Sequence, residues 1–125
     1  MFDGAKSYGV LPASDLARAV KWWKDVFGMD PDMTDESGAM FQLGGTPVLV
    51  YETQFAGTAQ NTAMAFSSKD VAADMQMLRA RGVKFEEYDF PGLKTENGMA
   101  KMGPYHGAWF KDSEGNILAI GDEPN

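Results

Sequence analysis

One pattern is written twice in this chain. A strand, a helix and three strands follow one another between Tyr8 and Thr53, and the same order returns between Thr62 and Ile120. In the first half Tyr8–Pro12 reads as a short strand, closed by a proline that cannot donate to a ladder. Ser14 is a good helix N-cap, and a helix is expected from Asp15 to Phe27. Leu16, Ala19, Val20, Trp23, Val26 and Phe27 fall on one face of it, with Arg18, Lys21, Lys24 and Asp25 opposite. Gly28 suits a left-handed C-terminal cap. Trp22 sits off the centre of the apolar stripe, where packing inside one chain explains it less well than Trp23.

Asp32–Asp35, Ala39–Leu43 and Val48–Thr53 then read as strands, parted by Ser37-Gly38 and Gly44-Gly45-Thr46-Pro47. Phe55–Asn61 connects the halves. The second half repeats the order: Thr62–Phe66 extended, a helix opened by Ser68 or Asp70 with Val71, Met75 and Leu78 buried, and Val83–Phe90 extended. Pro91–Gly103 is expected as a loop, followed by strands His106–Lys111 and Asn116–Ile120 around a Ser113-Glu114-Gly115 turn. Asp15-Leu16-Ala17 and Asp70-Val71-Ala72 stand 55 positions apart, whereas Gly38-Ala39-Met40-Phe41 and Gly107-Ala108-Trp109-Phe110 stand 69 apart. An offset of 69 also lays Val48–Tyr51 on Ile117–Ile120, after turns taken to be of equal length. The difference implies an insertion of about fourteen residues in the second half, assigned to the Pro91–Gly103 loop. One domain over 1–125 is expected, with modules at about 6–54 and 62–122.

Composition narrows the function. The chain has no cysteine, which excludes disulfide scaffolds, thiol catalysis and cysteine zinc sites. Its net charge of −7 and pI near 4.5 repel phosphate backbones and anionic lipid, so neither nucleic acid nor membrane is expected as a partner. Met1–Lys6 has no basic, apolar leader pattern, and a cytoplasmic location is expected.

On three motifs the chain resembles the vicinal oxygen chelate superfamily of glyoxalase I, extradiol dioxygenases and bleomycin-resistance proteins. The first is Ser14-Asp15-Leu16 with Trp22–Met29. The second is Leu78–Val83, and the third is Trp109–Leu118, where Ser113 replaces the usual proline. The resemblance implies an α+β fold of two tandem βαβββ modules whose sheets curl around a cavity. It also implies four metal-ligand positions, one on the first and one on the last strand of each module. The offsets place these at Tyr8, Ala63, Val50 and Ala119, none of which is His, Asp or Glu. No metal and no cofactor is therefore expected.

Strand alternation adds Val48 and Glu52 to the face of Val50, and Ile117 and Gly121 to that of Ala119. Tyr8, Val48, Val50, Glu52, Ala63, Trp109 and Ala119 become the expected ligand-binding residues, around an apolar slot in which Glu52 is the lone acid. The expected function is binding of an aromatic or cationic organic ligand by a homodimer, in which Trp22 is a plausible contact. The alternative is a metal-independent lyase or isomerase using Tyr8, Glu52 or His106 as acid or base. His106 is the only histidine, and a histidine at the rim of a strand explains it as well. A makeshift metal site of His106, Glu52 and Asp112 or Glu114 has no supporting spacing. Asp112–Asn116 is better explained as a tight turn. Glu86-Glu87-Tyr88-Asp89 reads as a solvated edge whose acids can draw a cation.

Overall fold

The computed structural model describes residues 3–123, so the part of the N-terminal reading that rests on Met1 and Phe2 lies outside the described residues. In the first module β1 (Gly9–Ala13), α1 (Leu16–Phe27), β2 (Met33–Asp35), β3 (Gly38–Leu43) and β4 (Thr46–Glu52) form a sheet of order β1-β4-β3-β2. In the second, β5 (Thr62–Ser68) and α2 (Val71–Ala80) lead to β6 (Asp89–Phe90), β7 (Leu93–Glu96), β8 (Met99–Met102), β9 (Tyr105–Lys111) and β10 (Ile117–Asp122). Their order is β5-β10-β9-β8-β7-β6. Each module's first strand runs parallel to its last, and the remaining pairs are antiparallel. This is the tandem βαβββ arrangement. The two sheets are not closed.

Several local expectations change. The α1 N-cap is Asp15, whose carboxylate accepts from the Arg18 amide at 3.0 Å, and Asp70 caps α2 in the same way. The Ser14 hydroxyl is engaged elsewhere, donating to Glu114, 100 positions away, at 3.3 Å and accepting from Arg18 Nη2 at 2.9 Å. Gly28 is the left-handed C-cap, at φ 68°. Val83–Phe90 is mostly irregular, with a single bridge from Phe85 to Phe110 before β6. Within the expected Pro91–Gly103 loop, β7 and β8 form a hairpin turning at Asn97-Gly98, both at positive φ (51° and 82°). That is the turn chemistry Asn-Gly supplies. The insertion thus widens the second sheet beyond β8, the counterpart of β2, by β7 and β6.

One apolar core serves both modules. Leu11, Ala13, Phe41, Val48 and Val50 from the first sheet and Ala108, Phe110, Leu118 and Ile120 from the second join Trp23, Val26, Met75 and Leu78 of the helices. Phe27 of α1 lies 5.4 Å from Phe66 and 6.3 Å from Phe110, ring centre to ring centre, so the first helix is covered by the second module. Trp22 is half-buried against Trp23, Phe27 and Phe110. Packing within one chain accounts for its buried part.

Polar groups lock this seam. Asp112 organises the β9–β10 turn by accepting from the Glu114 and Asn116 amides at 2.9 Å each, and Asn116 Nδ2 donates to the Pro12 carbonyl at 2.9 Å. Glu114 then meets the start of α1: the Ser14 and Asp15 amides donate at 3.0 Å each, and Arg18 donates through Nε at 2.8 Å and Nη2 at 2.9 Å. The Glu114 side chain is 1% exposed. Burial pushes its carboxyl up, but Arg18, the Ser113 hydroxyl and the Asp15 amide together outweigh this and hold it at about 2. Burial raises Asp112 despite its hydrogen bonds from Asn116.

Candidate functional site

Alternation gives each sheet one face toward the shared core and one away from it. On the second sheet the outward face is nearly bare. Ala65 and Ser67 of β5, Ala119 and Gly121 of β10 and Gly107 and Trp109 of β9 line a recess of about 290 Å³, with Met102 at its edge. Trp109 and Ala119 are direct partners across the β9–β10 ladder. Glycine within a strand removes the side chain that would stand over the sheet, and here two of them deepen the hollow. A Cβ on Gly107 would come within 2.9 Å of the flexible end of Met102. Trp109 is the one large wall the sequence pointed to. Gly121 was expected on the face of Ala119, whereas Gly107 was missed, although an unexplained glycine in a strand is the signal that finds it.

The outward face of the first sheet has the opposite relief. Val10 and Tyr51 are 51% and 37% exposed, with Leu49 beside them. The ladders fix the correspondence. Leu49 pairs with Val10 and Met40, as Ala119 pairs with Ala65 and Trp109, so Ala119 is the counterpart of Leu49. The offset for the last strands is 70, because Ser113-Glu114-Gly115 makes the second turn one residue longer than Gly44-Gly45.

This corrects the expected site. Val50 and Val48 are each 2% exposed in the core beneath α1 and do not share a face with Ala119. Glu52 also lies on the helix side, where its Oε1 accepts from the Leu16 amide at 3.4 Å, so it is no acid beside the recess. Tyr8 is 54% exposed just ahead of β1. Ala63 is exposed and unpaired at a bulge, between Thr62 facing Ile117 and Met64 facing Leu118. Of the expected ligand-binding residues only Trp109 and Ala119 line the recess. All of its lining comes from the second module, so Tyr8 and Val50 take no part in it, and Ala63 lies outside it.

The outward positions equivalent to a metal set are Tyr8, Leu49, Ala63 and Ala119. Aliphatic carbon offers no lone pair, and a single phenol does not make a divalent site, so these residues do not fit the superfamily's metal. The makeshift set of His106, Glu52 and Asp112 or Glu114 is scattered: Glu52 sits at α1, and the two turn acids lie in the seam. Among the described residues no three His, Asp or Glu side chains gather as a metal site.

His106 lies outside the recess. It faces a groove of about 280 Å³ bounded by Lys69–Ala72, Met99 and Asp122. Asp122 Oδ2 accepts from the His106 amide at 2.6 Å and lies 3.0 Å from its Nδ1. These contacts, the amide first, hold the Asp122 carboxyl below its usual range. A second hollow of about 430 Å³ opens where the 54–61 connection meets the second sheet, lined by Thr58, Gln60, Glu86, Tyr88, Phe90, Lys111 and Ile117.

No helix among the described residues is long and apolar enough to cross a membrane. Solved structures share the architecture. The fosfomycin resistance protein FosX from Listeria monocytogenes is 16% identical, with a TM-score of 0.70 and coverage of 95% of this chain and 93% of its own. Lactoylglutathione lyase from Agrobacterium tumefaciens is 19% identical at a TM-score of 0.66, covering 94% and 92%. A glyoxalase/bleomycin resistance protein from Catenulispora acidiphila is 22% identical at 0.63, covering 95% and 98%. No curated protein sequence matches. These likenesses establish the fold alone. The profile of the glyoxalase/bleomycin resistance protein/dioxygenase superfamily matches residues 7–120, and the chain belongs to that superfamily.

Proposed function

We propose that this is a metal-independent small-molecule binding protein, which sequesters or carries an aromatic or cationic organic ligand in the cytoplasm. The observation that carries this reading is the recess over Ala119. A hollow floored by Ala65, Gly107, Ala119 and Gly121 and walled by Trp109 is shaped for a flat apolar group, with stacking on the indole as its main attraction. The same face supports a homodimer. Val10, Leu49 and Tyr51 stand out from one sheet, while their counterparts Ala65, Ala119 and Gly121 leave a hollow in the other. A twofold axis sets each protruding face over a partner's hollow, both at once, and roofs the recess.

Native mass spectrometry of protein purified without chelator tests this. A dimer carrying a small organic molecule is expected. Ala119→Trp, which fills the recess without displacing packed neighbours, should lose that molecule while the melting temperature holds. A 13.6 kDa particle that carries one nickel, zinc, manganese or iron ion, with Ala119→Trp indifferent, overturns the proposal.

A second reading, a metal-independent lyase or isomerase, draws on one observation. Asp122 orients the His106 ring through Nδ1, which leaves Nε2 as a base toward the groove. Tyr8 and Glu52, the other acid–base candidates, have no such partner: Tyr8 is largely in water and Glu52 accepts from the Leu16 amide.

A further inference from the structure

The hollow over Ala119 and the one beneath the 54–61 connection occupy one face of one sheet. Ile117 is two residues from Ala119 on β10, Lys111 is two from Trp109 on β9, and both line the second hollow. Same-face neighbours on a strand stand about 7 Å apart. The divide between the hollows is aromatic. Trp109 belongs to the first and Tyr88 to the second, with ring centres 5.6 Å apart and planes at 78°. Phe90 extends this wall, 5.5 Å from Tyr88.

The two ends differ in chemistry. At the Ala119 end the floor is methyl groups and bare backbone. At the other end Glu86 is half-buried, held beside Trp109 by its own amide, which donates to the Trp109 carbonyl at 2.8 Å. Among the described residues no cation pairs with the Glu86 carboxylate. Lys111, which also borders this end, is exposed and carries its charge on a long stem that reaches water. Burial first, and the Glu86 carboxylate second, raise the Tyr88 phenol above its ordinary value, so the ring stays neutral beside the acid. An aromatic face next to an unpaired carboxylate attracts a cation through both its quadrupole and its charge.

We propose that the two hollows form one groove for a single bipartite molecule. A flat apolar ring system lies over Ala119 and Gly121 against Trp109, and a cationic arm about 7 Å long ends between Tyr88 and Glu86. This rests on the small-molecule reading above and adds the ligand's polarity and direction.

Three anthracene probes of equal length, carrying an aminopentyl, a hydroxypentyl or a carboxybutyl arm, test it by isothermal titration with the purified protein. The amine is expected to bind roughly tenfold or more tighter than the other two, the difference a charged hydrogen bond makes. Glu86→Gln should erase that preference and leave the hydroxyl probe unchanged, whereas Trp109→Leu should weaken all three. Equal affinities, or an amine preference that survives Glu86→Gln, overturn the bipartite groove even if the probes bind. If none binds, the groove is refuted as well, and the small-molecule reading is then judged separately by what co-purifies with the protein.

Discussion

The two sheets share a frame and differ in relief. At equivalent outward positions the first presents Val10, Leu49 and Tyr51, and the second presents Ala65, Ala119 and Gly121. Their inward faces are alike, both apolar and both committed to one core. Duplication thus preserved what folding needs on one side of each sheet and let the other side diverge, into a protrusion in one module and a hollow in the other. The turns diverged too. Gly44-Gly45 brings no charge to the seam, whereas the longer Asp112–Asn116 turn carries Glu114 onto the start of α1.

The turn difference has the largest expected consequence. Glu114→Ala strands Arg18 and the Ser14 and Asp15 amides, and breaking a mostly buried pair of this kind costs about 3–5 kcal/mol, toward the low end here because Arg18 is 52% exposed. Urea unfolding measures it, and a loss under about 1 kcal/mol would show that the turn does not lock the seam. Because the folded Glu114 carboxyl sits near 2 and its unfolded value near 4.5, its contribution is complete above about pH 4.5 and disappears as pH falls toward 2. Asp112, shifted upward, works the other way and relieves part of that loss as it protonates.

Next in size is the relief itself. If the proposed dimer forms through this face, Tyr51→Ala should weaken it by about 2 kcal/mol, as truncating an aromatic at the centre of a contact does, while the same change at exposed Phe55 leaves association unaltered. Sedimentation over a dilution series reads both. Equal effects would mean that the first sheet's outward face is not a contact. Smallest is the inserted hairpin. At Gly98 φ is 82° and a Cβ would stand 2.6 Å from the Phe85 Cβ, so Gly98→Ala should cost about 1–2 kcal/mol. A neutral Gly98→Ala in thermal melts would show that the strands added beyond β8 contribute little.

The strand–helix–strand frame was legible because its signals are local and repeated: the apolar stripe of α1, Gly28 at its end, and the Asp-Leu-Ala and Asp-Val-Ala helix openings. The site was only half legible, and the reason is a parity effect. Matching Val48–Tyr51 to Ile117–Ile120 overlooked the extra residue in the second turn. A one-residue slip in a strand exchanges its faces, so Val48, Val50 and Glu52 were expected outside when they lie on the helix side. Ala119 and Trp109 escaped this because their own ladder carries no slip. The β7–β8 hairpin was hidden by Pro91, Gly92 and the charged residues around Asn97-Gly98, although that dipeptide is itself a hairpin signal. Glu114 with Arg18 and His106 with Asp122 were not legible, since they join residues 96 and 16 positions apart through the fold alone.

The shared core also governs the order in which the molecule can be made. Phe27 and Trp22 of α1 rest on Phe110 of β9, and Glu114 closes over the start of the same helix. A nascent chain emerging from the ribosome therefore has its first helix and first sheet complete in sequence long before the surface that covers them is synthesised. The first half lacks its apolar cover until the last two strands are made, so the two modules are expected to fold as one cooperative unit rather than one after the other.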